Sequence, residues 1–160
     1  MMDDHEALAA LLRDMEARCG GLLRCMEGGL HGMGHLREVA MLAGRIAMAL
    51  GQDAEPAMVA GLLHDCARVD DGGGNRHAID SAQAAEAILR EKFPHLDAPR
   101  ICDAIARHAD GQTTDDPLAG ALWDADRLTL VRLSRTIRLD LLSTDPAKAM
   151  AEAVAQKHPR

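Results

Sequence analysis

Aromatic residues are almost absent from this chain of 160 residues, which has one tryptophan (Trp123), one phenylalanine (Phe93) and no tyrosine. Aliphatic side chains, methionine and alanine must therefore form the core, and this composition favours closely packed helices over a β-sandwich. The chain also lacks an aromatic cluster on which a nucleobase would stack. These absences indicate an all-α protein and argue against tight base stacking.

Other signals that would assign a protein class are also missing. The four cysteines form no CxxC pair, which suggests neither a zinc knuckle nor a thioredoxin-like site and indicates reduced, mainly structural thiols: Cys19, Cys25, Cys66 and Cys102. No apolar stretch is long enough to span a membrane. The first residues, MMDDHEALAALL, lack the positively charged start of a signal peptide. We therefore expect a cytoplasmic protein with no membrane partner.

Acidic residues outnumber basic ones by 25 to 18, which gives a formal net charge of -7 at pH 7. Binding to a nucleic-acid backbone rests on clustered lysine and arginine. We therefore expect that nucleic acid is not the main partner. The chain length is that of one domain with a sizeable core, so residues 1–160 are expected to form a single domain.

Helical periodicity runs nearly from end to end, without strand-like alternation and without an internal repeat. Leu36, Val39, Ala43 and Ile46, for example, recur at the spacing of one helical face. The predicted helices cover residues 4–18, 31–50, 54–69, 78–92, 97–109, 116–131 and 145–156, with a short apolar piece at 22–26. The segment DDGGGNR, residues 70–76, has the composition of a flexible loop. The sequence thus predicts an all-α, single-domain helical bundle.

Histidine and aspartate side chains fall on the buried faces of several predicted helices. His64 and Asp65 end an apolar run, and His35, His108 and Asp126 each continue an apolar stripe on another helix. Burying imidazole and carboxylate groups is costly unless they are paired. Separate hydrogen bonds would satisfy each group singly, but five such groups without a matching buried lysine favour shared coordination of a metal ion.

The combination of His35, the His64-Asp65 doublet and Asp126 resembles the metal motif of the HD-domain superfamily of metal-dependent phosphohydrolases. The local contexts HGMGH, GLLHDCAR and ALWDADRL are similar to that pattern. The resemblance covers about residues 30–142. It implies a small single-domain member with an HD-type helical fold whose core is this region.

The resemblance also implies a set of metal ligands. A first divalent ion (Mn, Fe, Zn, Mg, Co or Ni) would be held by four side chains: His35, His64, Asp65 and Asp126. Dinuclear members add two histidines between the doublet and the last aspartate, and this chain offers His77 and His108, with Asp65 as the bridge between two ions. One ion or two per chain are both open, because His77 would also suit a solvated loop.

Arg68 stands three residues after Asp65, where nucleotidase-like and stringent-response-like branches of the superfamily carry a glutamate that assists the attacking water. Other branches have a lysine there. Arg68 is therefore expected either to bind substrate phosphate or to act only as a helix-end cation. Without the glutamate, metal-bound water is the expected nucleophile. His31 is a candidate to donate a proton to the leaving oxygen or to contact substrate, unless it only packs.

Supporting roles are expected for two neighbours of Asp126. Asp124 would orient His64 or a bound water, unless it is a plain acidic helix residue, and Arg127 would hold a phosphate or pair with Asp124. Three histidines are expected on the surface: His5, His95 and His158. An apolar face of the first helix would pair with a second copy in a homodimer or pack on its own bundle: Leu8, Leu11 and Leu12.

The predicted function is hydrolysis of a phosphoester in a nucleotide or small phosphorylated metabolite by metal-activated water, with Asp65, Arg68 and His31 taking part. Two alternatives stay open. Some superfamily members, such as the inositol oxygenases, hold a mixed-valent di-iron centre and oxidise an unactivated C–H bond with dioxygen. The chain would otherwise be a non-catalytic module stabilised by metal. Bound iron with oxygen consumption would indicate the oxygenase, and another metal with phosphate release would indicate the phosphohydrolase.

Overall fold

The computed structural model describes residues 3–23, 28–129 and 137–157. These residues contain seven α-helices and no β-strand, which confirms the all-α prediction. The helices are α1 (Asp4–Cys19), α2 (Met33–Ala49), α3 (Ala54–Leu63), α4 (Arg76–Lys92), α5 (Ala98–Ala106), α6 (Pro117–Thr129) and α7 (Asp145–Lys157), with short 3-10 turns at Gly20–Leu22 and Leu139–Leu141.

Aspartate side chains start three of the helices. Asp3 accepts a hydrogen bond from the backbone N–H of Glu6 at the start of α1, at 2.7 Å. Asp53 and Asp97 cap α3 and α5 in the same way. Each carboxylate satisfies an N–H that has no partner within its own helix, so local sequence defines where these helices begin.

Helix α2 lies at the centre of the molecule and packs against α3 and α6, while α4 packs against α5. Its core-facing side chains are fully buried, as their helical spacing predicts: Leu36, Val39, Ala40, Ala43 and Ile46. A close approach joins α2 to α3 at Gly61, where an added Cβ would lie 2.7 Å from Cα of Ala40. This contact brings the end of α3 next to the first turns of α2.

The helix predicted over residues 54–69 is shorter in the structure, because α3 ends at Leu63. Beyond it the backbone forms tighter bonds to the third preceding residue, from Cys66 N to Leu63 O and from Arg68 N to Asp65 O. The N–H of Ala67 donates instead to the hydroxyl of Ser81 on α4, at 3.1 Å. These bonds replace the α-helical pattern, so the chain turns at the His64-Asp65 doublet.

Other boundaries differ by smaller amounts. Helix α2 begins at Met33, so His31 precedes it, and α5 ends at Ala106, so His108 follows it. The predicted end near residue 131 and the apolar piece that reaches residue 26 extend outside the described residues. Leu8 and Leu12 are buried in the core and Leu11 packs partly against it, so this face of α1 is used within its own chain.

Three cysteines in the described part are free thiols, as expected: Cys19, Cys66 and Cys102. Cys25 lies outside the described residues. Across the described ranges, no helix combines the length and the apolar character that crossing a membrane requires.

Candidate metal centre

The ends of two helices, the sides of two others and the first turn of a fifth meet at a cluster of imidazoles and carboxylates. His35 projects from α2 and Asp126 from α6, and His64 and Asp65 follow the end of α3. His108 follows the end of α5. Two further members complete the cluster, His77 from the first turn of α4 and His31 just before α2. The structure thus brings together all the histidines and aspartates that the sequence singles out as ligands.

Three of these side chains converge closely. Nε2 of His35 lies 3.2 Å from Nε2 of His64 and 3.2 Å from Oδ1 of Asp126. Nε2 of His64 lies 3.6 Å from the same Asp126 oxygen. Both histidines are buried, whereas Asp126 is partly exposed. The three ligand atoms are therefore close enough to share one small cation.

Asp65 directs its two carboxylate oxygens to different imidazoles. Oδ2 lies 3.6 Å from Nε2 of His64, while Oδ1 lies 3.6 Å from Nε2 of both His77 and His108. The carboxylate is 1% exposed, and Oδ1 has no hydrogen-bond partner within the described residues. A buried carboxylate oxygen without a partner is costly, so this atom needs a cation or a donor that the described residues do not supply.

Helix ends orient two of the histidines. Nδ1 of His64 donates to the carbonyl of Gly61 at 2.7 Å, and Nδ1 of His108 donates to the carbonyl of Ile105 at 2.8 Å. A carbonyl oxygen only accepts, so Nδ1 carries a proton in both rings. This leaves Nε2 of each ring directed at the cluster, which is the usual arrangement of metal-binding histidines.

The two carboxylates and the burial of the cluster shift its pKa values in opposite directions. Burial lowers the pKa of His64, but Asp65 and Asp126 outweigh this and raise it to about 9. Burial and the nearby His64 lower the pKa of His108 to about 4, and burial also lowers that of His77. His108 is therefore neutral near pH 7, as a metal ligand must be, whereas His64 would release its Nε2 proton when a metal ion binds.

Both carboxylates are ionised. Burial opposes ionisation of Asp65, but His64 and His108 lower its pKa. Burial likewise opposes ionisation of Asp126, whose pKa is held well below the usual range by hydrogen bonds from His35 and His64. Two negative charges, one of them fully buried, form together with the imidazole nitrogens a donor set that suits divalent Mn, Fe, Co, Ni or Zn. The residues therefore fit a metal ion.

Arg68 is buried beside Asp65 and has an acceptor for each of its three nitrogens. Nη1 donates to Oδ2 of Asp65 at 3.2 Å, Nε to the carbonyl of Asp70 at 2.9 Å and Nη2 to the carbonyl of Gly72 at 2.7 Å. Protein groups thus engage three of the five N–H groups of the guanidinium, which adds a role to the two expected from the sequence, a phosphate contact or a helix-end cation.

Asp71 is a member of the site that sequence reasoning missed. Its Oδ1 lies 2.6 Å from Nδ1 of His31, and its Oδ2 accepts from the N–H of Leu30 at 3.5 Å. The hydrogen bond from His31 lowers the pKa of Asp71. Nothing in the segment DDGGGNR distinguished one exposed aspartate from the next, because its partner lies 40 residues away in sequence.

Asp124 and Arg127 have structural roles instead of the supporting roles expected. The buried carboxylate of Asp124 accepts from the backbone N–H groups of Ser143 and Thr144 and from the Thr144 hydroxyl, each at 2.8 Å. Arg127 donates to the carbonyls of Leu141 and Gln112. Asp124 therefore does not orient His64, which bonds to Gly61. Both residues tie α6 to the segment before α7.

The surface histidines lie as expected where they are described. His5 is exposed, and His95 is exposed beside Glu55, with 3.1 Å between Nε2 and the carboxylate. His158 lies outside the described residues. Neither His5 nor His95 adds to the cluster.

Several curated proteins named Ribonuclease Y are similar to this chain. The protein from Chlorobium luteolum is 36% identical over 137 residues, which covers 82% of this chain and 25% of the relative. The protein from Syntrophobacter fumaroxidans is 36% identical over 111 residues, 69% of this chain and 20% of the relative. That from Bacillus subtilis is 32% identical over 99 residues, 61% of this chain and 18% of the relative.

This chain therefore spans a quarter or less of the length of these relatives. Their name denotes cleavage of RNA, which sits uneasily with the expectation that nucleic acid is not the main partner here. No solved structure matches the chain significantly. The family model described as HD domain matches residues 32–131, a range that includes His35, the His64-Asp65 doublet and Asp126. The chain belongs to the HD domain family.

Proposed function

We propose that this chain is a metal-dependent phosphohydrolase that cleaves a phosphoester of a nucleotide or small phosphorylated metabolite. The observation that carries the proposal is the buried Asp65 carboxylate. Its Oδ2 faces His64, and its Oδ1, which has no hydrogen-bond partner among the described residues, faces His77 and His108. This arrangement supports a bridging role between two cations. Membership of the HD domain family supports the same chemistry.

We assign the ligands from the distances between donor atoms. Four side chains would hold one divalent ion: His35, His64, Asp65 and Asp126. Asp65, His77 and His108 would hold a second. When bound, such ions polarise phosphoryl oxygens and lower the pKa of bound water. The protein fixes the donors beforehand, because the bonds to Gly61 and Ile105 hold two of the rings.

Substrate would reach the cluster from its more exposed side. His31, His77 and Asp126 have side-chain exposures of 13%, 14% and 19%, compared with 1% for Asp65. His31 lies on this side with Nδ1 held by Asp71, so its Nε2 remains to donate a proton to the leaving oxygen. Arg68 occupies the position of the glutamate of other branches, so no carboxylate base is supplied there.

Cleavage of an RNA phosphodiester is a second candidate, favoured by the name of the relatives. The same donors would serve both reactions, since both place negative charge on phosphoryl oxygens that bound cations would stabilise. The net charge of -7 favours the small substrate, because binding to RNA draws on phosphate contacts from lysine and arginine.

The proposal is tested first by elemental analysis of protein purified without chelators or affinity-metal columns. We expect close to two ions per chain, and release of phosphate or alcohol from at least one member of a panel of monoesters, nucleotides, diesters and short RNA. Asp65→Asn should abolish turnover, while His95→Ala, at an exposed histidine outside the cluster, should not alter it.

Each other outcome contradicts the proposal in a defined way. Iron together with oxygen uptake and no phosphoester cleavage would identify the di-iron oxygenase. Absence of bound metal after reconstitution with Mn, Fe or Zn would exclude metal-dependent catalysis. Cleavage of RNA alone would replace the small substrate by a nucleic acid.

Three further expectations stay predictions of the sequence. They are a single HD-type domain over residues 1–160 with its core at about 30–142, a cytoplasmic location, and a homodimer. Sedimentation of the metal-loaded protein tests the last of these, and burial of Leu8 and Leu12 within the chain removes the face of α1 as its contact.

A further inference from the structure

We propose that Arg68 is a positioning residue that holds the Asp65 carboxylate with one oxygen reserved for the second metal ion. The inference rests on the proposed function, because it concerns the dinuclear site assigned there. It goes beyond the two roles that the sequence suggested, phosphate binding or a helix-end cation, and it follows from the contacts that the guanidinium makes.

Arg68 holds its own position through the backbone. Nε and Nη2 donate to the carbonyls of Asp70 and Gly72, at 2.9 and 2.7 Å. These two bonds lie on different nitrogens of a planar, rigid group. With both nitrogens engaged, the plane of the guanidinium and the position of its third nitrogen, Nη1, are fixed.

Nη1 in turn determines the orientation of Asp65. It donates to Oδ2 at 3.2 Å, and within the described residues no other group donates a hydrogen bond to this carboxylate. With Oδ2 held between Arg68 and His64, Oδ1 faces His77 and His108. Rotation of the carboxylate would remove the one oxygen that those two histidines share.

The same guanidinium also fixes the loop that carries Asp71. The carbonyls of Asp70 and Gly72 flank Asp71, and Asp71 contacts His31 across the site. Arg68 therefore connects the carboxylate assigned as the bridge with the loop that holds His31. Loss of Arg68 should disturb both at once.

An electrostatic role and a positioning role of Arg68 predict opposite changes in metal affinity when Arg68 is removed. A positive charge beside Asp65 repels a cation, so a purely Coulombic account predicts that loss of Arg68 strengthens metal binding. A positioning role predicts that the second ion is bound more weakly, as for other groups that orient metal ligands. The direction of the change in affinity therefore decides between the two accounts.

The test is titration of the metal-free full chain with Mn²⁺ in a calorimeter, with elemental analysis to count the bound ions. It compares the wild type with Arg68→Gln and with the matched control Arg76→Gln. Arg76 also lies beside His77, but its side chain is exposed and pairs with Asp80. We expect Arg68→Gln to lower the affinity for the second ion by roughly 10–100-fold and to retain binding of the first ion. Arg76→Gln should bind both ions within about twofold of the wild type.

Equal or tighter binding of the second ion by Arg68→Gln would overturn the proposal, and so would a wild-type protein that binds one ion. Arg68→Lys is the second variant, in case Arg68→Gln unfolds. It keeps the charge but loses the planar fork, so it should still bind the second ion more weakly than the wild type, and wild-type affinity would overturn the proposal. These titrations need no substrate, so two bound ions without phosphoester cleavage would reject only the proposed function.

Discussion

The same kind of hydrogen bond orients the imidazole rings of His64 and His108. Each follows directly or closely after a helix, and each donates Nδ1–H to a carbonyl three residues earlier, Gly61 or Ile105. The last carbonyls of a helix lack helical partners, so an imidazole just beyond the end satisfies one of them. In doing so it leaves Nε2 free for the metal cluster. A histidine after a helix end is thus already oriented by local structure.

Replacing His108 tests the second metal site at the level of one side chain. His108→Ala should reduce the metal content from about two ions per chain to about one, because Asp65 and His77 alone leave too few protein ligands for the second ion. Elemental analysis after dialysis measures this. His95→Ala is the matched control and should keep both ions. Retention of two ions by His108→Ala would exclude His108 as a ligand.

At the scale of elements, the site depends on the contact between α2 and α3. Gly61 on α3 lies against Ala40 on α2, and this contact places His64 beside His35. The Gly61 carbonyl is also the acceptor for His64. Helix packing and ligand geometry therefore meet at one glycine, where backbone approaches backbone too closely for a side chain.

Gly61→Ala is expected to weaken both the fold and the metal site. A Cβ there would lie 2.7 Å from the Ala40 backbone, so α2 and α3 must separate, at a cost of about 1–3 kcal/mol in the free energy of unfolding. Urea denaturation and Mn²⁺ titration measure the two effects.

Gly34→Ala is the control for this substitution. Gly34 lies on α2, and a Cβ there meets nothing within 4 Å. Because alanine is the better helix former by roughly 0.5–1 kcal/mol, this variant should be as stable as the wild type or more so. Equal stability of the two variants would show that the helix contact tolerates a larger side chain.

On the scale of the whole molecule, the cluster joins helices that are distant in sequence. Side chains from before α2 to α6 contribute to it, and Asp124 with Arg127 tie α6 to the segment that leads into α7. Asp65 and Asp126 are two negative charges in the middle of this assembly. A bound cation would therefore stabilise the folded chain, which alone brings these ligands together.

Removal of metal should accordingly lower the Tm of the protein. At an ion concentration of about 100 times Kd, binding to the folded state alone contributes about 2.7 kcal/mol, or roughly 5–10 °C for a chain of this size. Differential scanning calorimetry with and without chelator measures the shift. A His64→Ala variant should show little or no shift, and an unchanged Tm of the wild type on chelation would contradict metal binding.

Local patterns were sufficient to predict much of this protein. Helical periodicity located the helices, and the polar residues on or at the end of apolar stripes identified His35, His64, Asp65, His108 and Asp126, all of which meet in the structure. Asp71 and the contacts of Arg68 were not predictable in this way. These contacts depend on the conformation of the loop at residues 70–76, whose composition resembles that of any flexible turn.

The fold class and the residue types available to the site could be predicted from the amino-acid sequence, because helix formation and burial depend on spacings of three and four residues. The family followed from the resemblance of its motifs to the HD-domain pattern. Only the tertiary structure decided that α3 ends at Leu63, which ring nitrogens face the cluster, and that the two oxygens of Asp65 face different histidines. These features depend on where helices that are distant along the chain end and cross, and no local pattern encodes those distances.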